Sequence, residues 1–191
     1  MAFEEAIATI ENEDMQKLAR ALLEKVPPYF YEVPASSTGK YHPLYALGEG
    51  GLYRHTLAVV KFVNYFFSVD CFKQRWDSRG RDIMRIAAIM HDTFKSGSQE
   101  DYAKNKYTKH EHPLLASECV LSMLDCGIVA DDEIKAIASA ISTHMGSWTT
   151  SPRSSVVLPE PKDKTQQMLH LADYLASRKD IEVLFLKQDG N

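Results

Sequence analysis

The stretch Gly80-Arg81-Asp82-Ile83-Met84-Arg85-Ile86-Ala87-Ala88-Ile89-Met90-His91-Asp92 decides the fold. Its apolar residues recur at helical spacing, and His91 extends the stripe of Ile83 and Ala87, with Met90 beside it. The helix therefore closes on two polar residues that lie about 100° apart around its axis. They cannot share one face, yet at a helix end both can reach one site. A half-charged and a charged side chain at the end of a buried stripe are costly unless something pairs with them.

Outward from this helix the same pattern recurs, over about 52–69, 113–126, 131–145 and 164–179. His55 shares a face with Leu52, Val59, Phe62 and Phe66, and His112, at a helix start, precedes Ala116, Cys119 and Met123. His144 extends Ile134, Ile137 and Ile141, and Asp173 follows Leu169, beside Ala172 and one turn before Ala176. Any one histidine on an apolar face is more often a hydrogen-bonded core residue than a ligand, and Arg178 is an available partner for Asp173. Four histidines and two aspartates turned inward together are harder to satisfy one by one. Imidazole nitrogen and carboxylate oxygen suit divalent Mn, Fe, Co, Ni or Zn. One or two such ions between the helices are expected, and an aspartate can bridge a pair. Two ions about 4 Å apart clamp a phosphoryl group and acidify a shared water.

The remainder is punctuated rather than periodic. Residues 3–25 read as one amphipathic helix (Phe3, Ile7, Ile10, Leu18, Leu22) that stops before Pro27-Pro28. Residues 26–50 hold four of the eight prolines and read as a long surface loop, running into Gly48-Glu49-Gly50-Gly51. Strand-like runs are confined to Ser155–Leu158 and the weak tail Val183–Leu186. The expectation is an all-α helical bundle with long functional loops. It forms a single domain: a helix and loop over 1–47 packed on the core, a core unit over 48–179 and a tail over 180–191.

Composition narrows the function. A chain of 191 residues suits one domain, and 45% hydrophobic with 25% charged residues is ordinary for a soluble protein. A net charge of −4 excludes a global basic field for long nucleic acid, while local lysines leave a nucleotide or short oligonucleotide open. No stretch approaches the roughly 18 apolar residues of a membrane span. The start Met1-Ala2-Phe3-Glu4-Glu5 lacks a signal-peptide layout. Three cysteines without a CxxC point to a reduced, cytoplasmic protein, with Cys119 a packing residue.

Several further side chains have two readings each. The loop 93–111, with Lys95, Lys104, Lys106, Lys109, Tyr102 and Tyr107, reads equally as a solvated loop or as a basic flap whose tyrosines stack on a base. Arg54 and Arg178 are candidate phosphate clamps, although pairing to a carboxylate is the commoner fate of such an arginine. His112 is preferred over His110 because it starts an apolar stripe and precedes Pro113; His110 is left as a substrate contact or an outer support. Trp148 is a candidate pocket wall or a half-buried loop aromatic. His42 and His170 have weaker cases, His170 lying about 60° from the face of Asp173.

The pieces Gly50-Gly51-Leu52-Tyr53-Arg54-His55-Thr56, Met90-His91-Asp92-Thr93-Phe94-Lys95, His112-Pro113-Leu114-Leu115-Ala116-Ser117, Ser142-Thr143-His144-Met145-Gly146 and His170-Leu171-Ala172-Asp173-Tyr174-Leu175-Ala176-Ser177-Arg178 occur in order over residues 48–179. This series resembles the HD-domain superfamily of metal-dependent phosphohydrolases. Its wording is most similar to the HD domain of bacterial 3′–5′ exoribonucleases. The resemblance implies an all-α domain that hydrolyses phosphoester or phosphoanhydride bonds. It implies that His55, His91, Asp92 and Asp173 hold one metal ion, and that Asp92 bridges to a second held by His112 and His144. Mn, Fe, Ni, Co, Zn and Mg are the candidate ions. Lys95 corresponds to a lysine near the substrate phosphate or the nucleophilic water. Phe94 stands where the family commonly has glycine, and a GYP signature and the acidic pair of alarmone hydrolases are missing. The first 50 residues are too few and too helical for the β-barrel that accompanies the exoribonucleases. The expected partner is a small phosphorylated substrate, a nucleotide or short oligonucleotide, with no membrane; the sequence sets no oligomeric state. A 3′–5′ nuclease on single strands and a non-catalytic ligand-binding module are the alternatives.

Overall fold

The computed structural model describes residues 3–36, 39 and 42–185. Those residues form α1 (Glu4–Ile7), α2 (Glu13–Leu23), α3 (Gly51–Ser68), α4 (Asp70–Lys73), α5 (Ser78–Met90), α6 (Gln99–Lys104), α7 (His112–Leu121), α8 (Asp131–Ser142) and α9 (Lys164–Ala176). No strand occurs among them, so the fold is all-α as the periodicity implies. The candidate strand Ser155–Leu158 is irregular chain, with an isolated bridge between Ser151 and Ser154 just before it and Leu158 N bonded back to Thr149 O at 2.8 Å. Val183–Phe185 is irregular too, and Leu186 lies outside the described residues. No helix among them is long and apolar enough to cross a membrane.

α3 is the central helix, packed on α5 and α9, while α8 joins α5 to α7. Its buried stripe is Leu52, His55, Val59, Val63 and Phe67, one residue round from the expected Phe62 and Phe66, which are only half-buried. Residues 3–25 form two helices rather than one. The chain breaks at Ile10–Asn12 because the fully buried carboxylate of Asp82 on α5 accepts the N–H groups of Glu11 (2.9 Å) and Asn12 (2.9 Å). Those donors would otherwise bond within a continuous helix. Arg79 then ties three helices together, reaching Asp14 on α2 at 2.7 Å and Glu133 on α8 at 2.6 Å.

The expected surface loop 26–50 is partly core. Val26, Tyr29, Phe30, Ala35 and Ala46 are buried, and short 3-10 turns form at Pro28–Tyr31 and Leu44–Ala46. Backbone bonds from Gly50 to Glu32 (2.9 Å) and from Leu52 to Val33 (2.9 Å) pin it to the start of α3. That start needs glycine. Gly50 has φ 67°, and a Cβ on Gly51 would sit 2.3 Å from the Ala46 carbonyl oxygen. The tight crossing sets where α3 begins and hence the direction of His55, one turn on. α9 is started by Asp163, whose side chain accepts from Thr165 N and Gln166 N, and α5 by Asp77, which accepts from Gly80 N.

Candidate metal centre

Five helix segments converge on one point. His55 lies in the second turn of α3, His91 and Asp92 follow the last residue of α5, and His112 opens α7 with Pro113 behind it. His144 comes two residues after α8 ends, and Asp173 sits near the end of α9. Donor atoms of His55, His91 and Asp173 lie within 4.8 Å of one another, and so do those of Asp92, His112 and His144. Asp92 faces both triplets. Its Oδ1 is 3.1 Å from His112 Nε2 and 3.6 Å from His144 Nε2. Its Oδ2 is 3.7 Å from His55 Nε2 and 3.6 Å from His91 Nε2.

The tautomers follow from geometry. Nδ1 of His91 contacts Ala88 O at 2.8 Å, Nδ1 of His112 contacts Lys109 O at 2.7 Å, and Nδ1 of His144 contacts Ile141 O at 2.8 Å. A carbonyl can only accept, so each Nδ1 carries its proton and a neutral ring turns its Nε2 lone pair inward. His91 Nε2 then has no hydrogen-bond partner although it is buried, and neither has Asp92 Oδ1. His112 Nε2 and His144 Nε2 stand 3.2 Å apart. Two lone pairs at that distance repel unless positive charge lies between or beside them.

Electrostatics state the same demand. Burial lowers His91 to about 4 and also lowers His112, favouring neutral rings. Burial would push Asp92 up, but Lys95, His91 and the nearby His112 and His144 rings hold it well below the ordinary carboxylate range. At Asp173 burial is likewise outweighed by the hydrogen bond with His55, at 2.9 Å, and by the neighbouring imidazoles. Burial alone would lower His144, yet the Asp92 carboxylate beside it raises it. Neutral rings at His91 and His112, ionised carboxylates, and the inward His91 Nε2 and Asp92 Oδ1 without partners together fit divalent cations, while the carboxylate beside His144 favours positive charge there.

Around this centre the other sequence candidates separate. Lys95 Nζ contacts Asp92 Oδ2 at 2.5 Å with its side chain 16% exposed, at the rim. Phe94, in the place of the family glycine, leaves the turn intact: it packs half-buried on the core, and Lys95 N bonds to Asp92 O at 3.1 Å. Arg54 is turned away from the donors; its Nε and Nη2 donate to the Tyr45 and Leu47 carbonyls at 2.6 and 2.9 Å, holding the preceding loop. Arg178 lies over the Tyr174 ring at 4.2 Å and bonds Ser177. His110 bonds Thr149 O at 3.2 Å, joining two loops. Trp148 is 53% exposed and stacks on Tyr174, beside His170.

Two residues with weak sequence cases are close to the centre. His170 donates from Nδ1 to the His144 carbonyl at 2.8 Å, and its ring occupies the place where a Cβ on Gly146 would go. His42 meets the ring of His55 at 5.4 Å, and burial and His55 lower it to about 4. Neither lies on an apolar stripe in line with a candidate donor, so periodicity had nothing to register.

The fold and these donors define an all-α protein with a candidate divalent-metal centre. The HD domain family model matches residues 52–178, from the start of α3 to just beyond α9. The chain belongs to the HD-domain family, within a superfamily of metal-dependent phosphohydrolases. Searches of curated proteins and of solved structures found no match.

Proposed function

We propose that this chain hydrolyses a phosphoester or phosphoanhydride bond in a nucleotide or short oligonucleotide, using two divalent ions. The observation that carries the reading is Asp92, whose two oxygens face two separate donor triplets. His55, His91 and Asp173, with Asp92, would hold one ion; Asp92, His112 and His144 would hold the other. Bound ions supply Lewis-acid polarisation of a phosphoryl oxygen and make a coordinated water acidic near neutral pH. Lys95 stands at the rim against Asp92 and can donate to an equatorial oxygen of the phosphoryl group, where negative charge accumulates. The carbonyls of Ala88, Lys109 and Ile141 keep three imidazoles in one tautomer throughout.

Lysines and tyrosines together on the loop 93–111 support a nucleotide-type substrate. The net charge of −4 speaks against a track for long polymers, and three free cysteines support a reduced cytoplasmic setting. The test is turnover of bis(p-nitrophenyl) phosphate by metal-stripped protein reloaded with Mn, Co, Ni, Zn or Mg. Turnover is expected with at least one ion, with a loss of about a thousandfold or more in Asp92→Asn. Activity retained by that variant would remove the proposal.

A further inference from the structure

Beside the metal centre a cleft of about 500 Å³ opens between the Val33-Pro34 segment and the chain from Lys95 to Thr108. Its volume falls within the roughly 300–1,000 Å³ of small-molecule sites. The walls include Lys95, Tyr102, Lys104, Asn105, Lys106 and Tyr107, and no carboxylate lines it. The nearest acid on that element, Asp101, is engaged by Lys109 Nζ at 2.8 Å and by Ser98 N at 3.1 Å. Lys104 and Lys106 make no ion pair among the described residues, although Lys106 lies over the Tyr102 ring at 5.7 Å. Glu100, one turn before Lys104, feels the charge of that lysine but does not line the cleft, so the cleft presents lysine charge next to flat aromatic faces.

The cleft is also a built feature. Tyr102 stacks on the buried Tyr29 at 4.5 Å, and the Tyr29 hydroxyl donates to Gly97 O at 2.7 Å and accepts from Ser96 N at 3.0 Å. Ser98 and Asp101 cap α6 reciprocally, fixing the helix that carries Tyr102 and Lys104. Tyr107 also lines the cleft and is 64% exposed, free to stack on a planar ligand. Lys95 joins the two regions, lining the cleft while its Nζ touches Asp92. A phosphate held at the metal centre would thus have the cleft as its immediate neighbour.

We infer that this cleft is the subsite for the nucleotide adjoining the scissile phosphate, so that the substrate is a single-stranded oligonucleotide of at least two nucleotides. In it, Lys104 and Lys106 hold the next phosphate as point charges and Tyr107 stacks on the base. This substrate class rests on the phosphohydrolase reading above; occupancy of the cleft does not. Mononucleotides and nitrophenyl esters leave the cleft empty and gain nothing from it.

The test has a binding arm and a turnover arm. In the first, a fluorescein-labelled five-nucleotide RNA is titrated by anisotropy into full-length protein in EDTA. Lys104→Gln/Lys106→Gln is compared with Lys17→Gln/Lys135→Gln, which removes the same charge from remote α2 and α8. The cleft pair is expected to weaken binding about tenfold and to flatten the salt dependence, and Tyr107→Ala to weaken it several-fold, against little change in the remote pair. In the second arm the ratio of kcat/KM for a dinucleotide to that for bis(p-nitrophenyl) phosphate is measured with the ion that supports turnover. That ratio is expected to fall about tenfold in the cleft pair, through KM. Equal affinity in the two pairs, or an unchanged ratio, overturns the subsite. If wild type turns over neither substrate with any ion, the phosphohydrolase reading fails, and the binding arm alone decides the cleft.

Discussion

Adding a divalent cation to the metal-stripped protein should raise its thermal midpoint, and Asp92→Asn should abolish most of that rise. The aspartate is the one side chain with oxygens toward both triplets, at 3.1 and 3.6 Å from His112 and His144 and at 3.6 and 3.7 Å from His91 and His55. Asparagine keeps the shape, removes the charge, and turns one oxygen into an N–H donor. An ion that binds only the folded state stabilises it by about 2.7 kcal/mol at a hundred times its dissociation constant. For a chain of 191 residues each kcal/mol moves the midpoint by about 2–4 °C, which gives a rise of about 5–11 °C. Calorimetry on EDTA-stripped, dialysed protein titrated with Mn, Co, Ni, Zn or Mg measures it. The variant is referenced to its own metal-free midpoint, because losing the Asp92 charge also leaves Lys95 without its partner. An equal rise in Asp92→Asn, or none in wild type with any of these ions, would show that the six side chains are not an ion site.

His112→Ala removes a donor from one triplet only, so metal content measured by mass spectrometry should fall from two equivalents to one; an unchanged two would contradict the second site. At Glu11 the Arg81 hydrogen bond, working against burial and aided by Arg85, lowers the carboxyl from 4.5 to about 2. A group depressed in the folded state contributes stability above its unfolded value of 4.5 and loses it as pH falls toward 2. With 41% of that side chain exposed, solvent screening leaves about 1 kcal/mol. Glu11→Gln should therefore lower the midpoint at pH 7 by about 2–4 °C, a deficit that shrinks across that acid window and does not stay constant. Gly146 has φ 63°, and a Cβ there would lie 2.2 Å from the His170 ring. Gly146→Ala should cost about 1–2 kcal/mol from the backbone alone and weaken metal retention by displacing the support of His144; wild-type stability would refute this placement. Tyr29→Phe leaves the Gly97 carbonyl and the Ser96 N–H without that partner, at a cost of about 1–3 kcal/mol by urea unfolding with the slope unchanged.

What could be read from the sequence follows from the range of each interaction. Apolar period is local, so the long helices α3, α5, α8 and α9 and the inward placement of His55 and His91 were legible. The break at Ile10–Asn12 was not, because its cause is a carboxylate some seventy residues away in sequence, Asp82. Arg54 shows the same limit. Beside His55 in the chain it looks like a phosphate clamp, but the loop before α3 passes close enough for two carbonyls to take its guanidinium. Which partner an arginine finds depends on where a loop runs, and no period encodes that. The loop 26–50 was misjudged as surface for a related reason. Proline and glycine announce irregular backbone, but they do not say that Phe30 and Tyr29 fill the core between them.

The inward histidines owe their direction to helix ends more than to helix faces. The last carbonyls of a helix have no partner within it, so a histidine a residue or two beyond the end can use one of them. His91 does so with Ala88 and His144 with Ile141, each three residues back. His112 repeats the spacing with Lys109, in the turn before α7. One local bond thus fixes ring orientation and tautomer together, and leaves Nε2 as the donor aimed inward. His55 cannot copy this, because it lies inside α3, where the carbonyls behind it are already bonded. Its Nδ1 is buried without a partner, and its Nε2 is held from across the site by Asp173. Three of these histidines are therefore oriented by their own sequence neighbourhood and one, His55, by the tertiary fold. Loosening α9 should disturb His55 while leaving the other three rings in place.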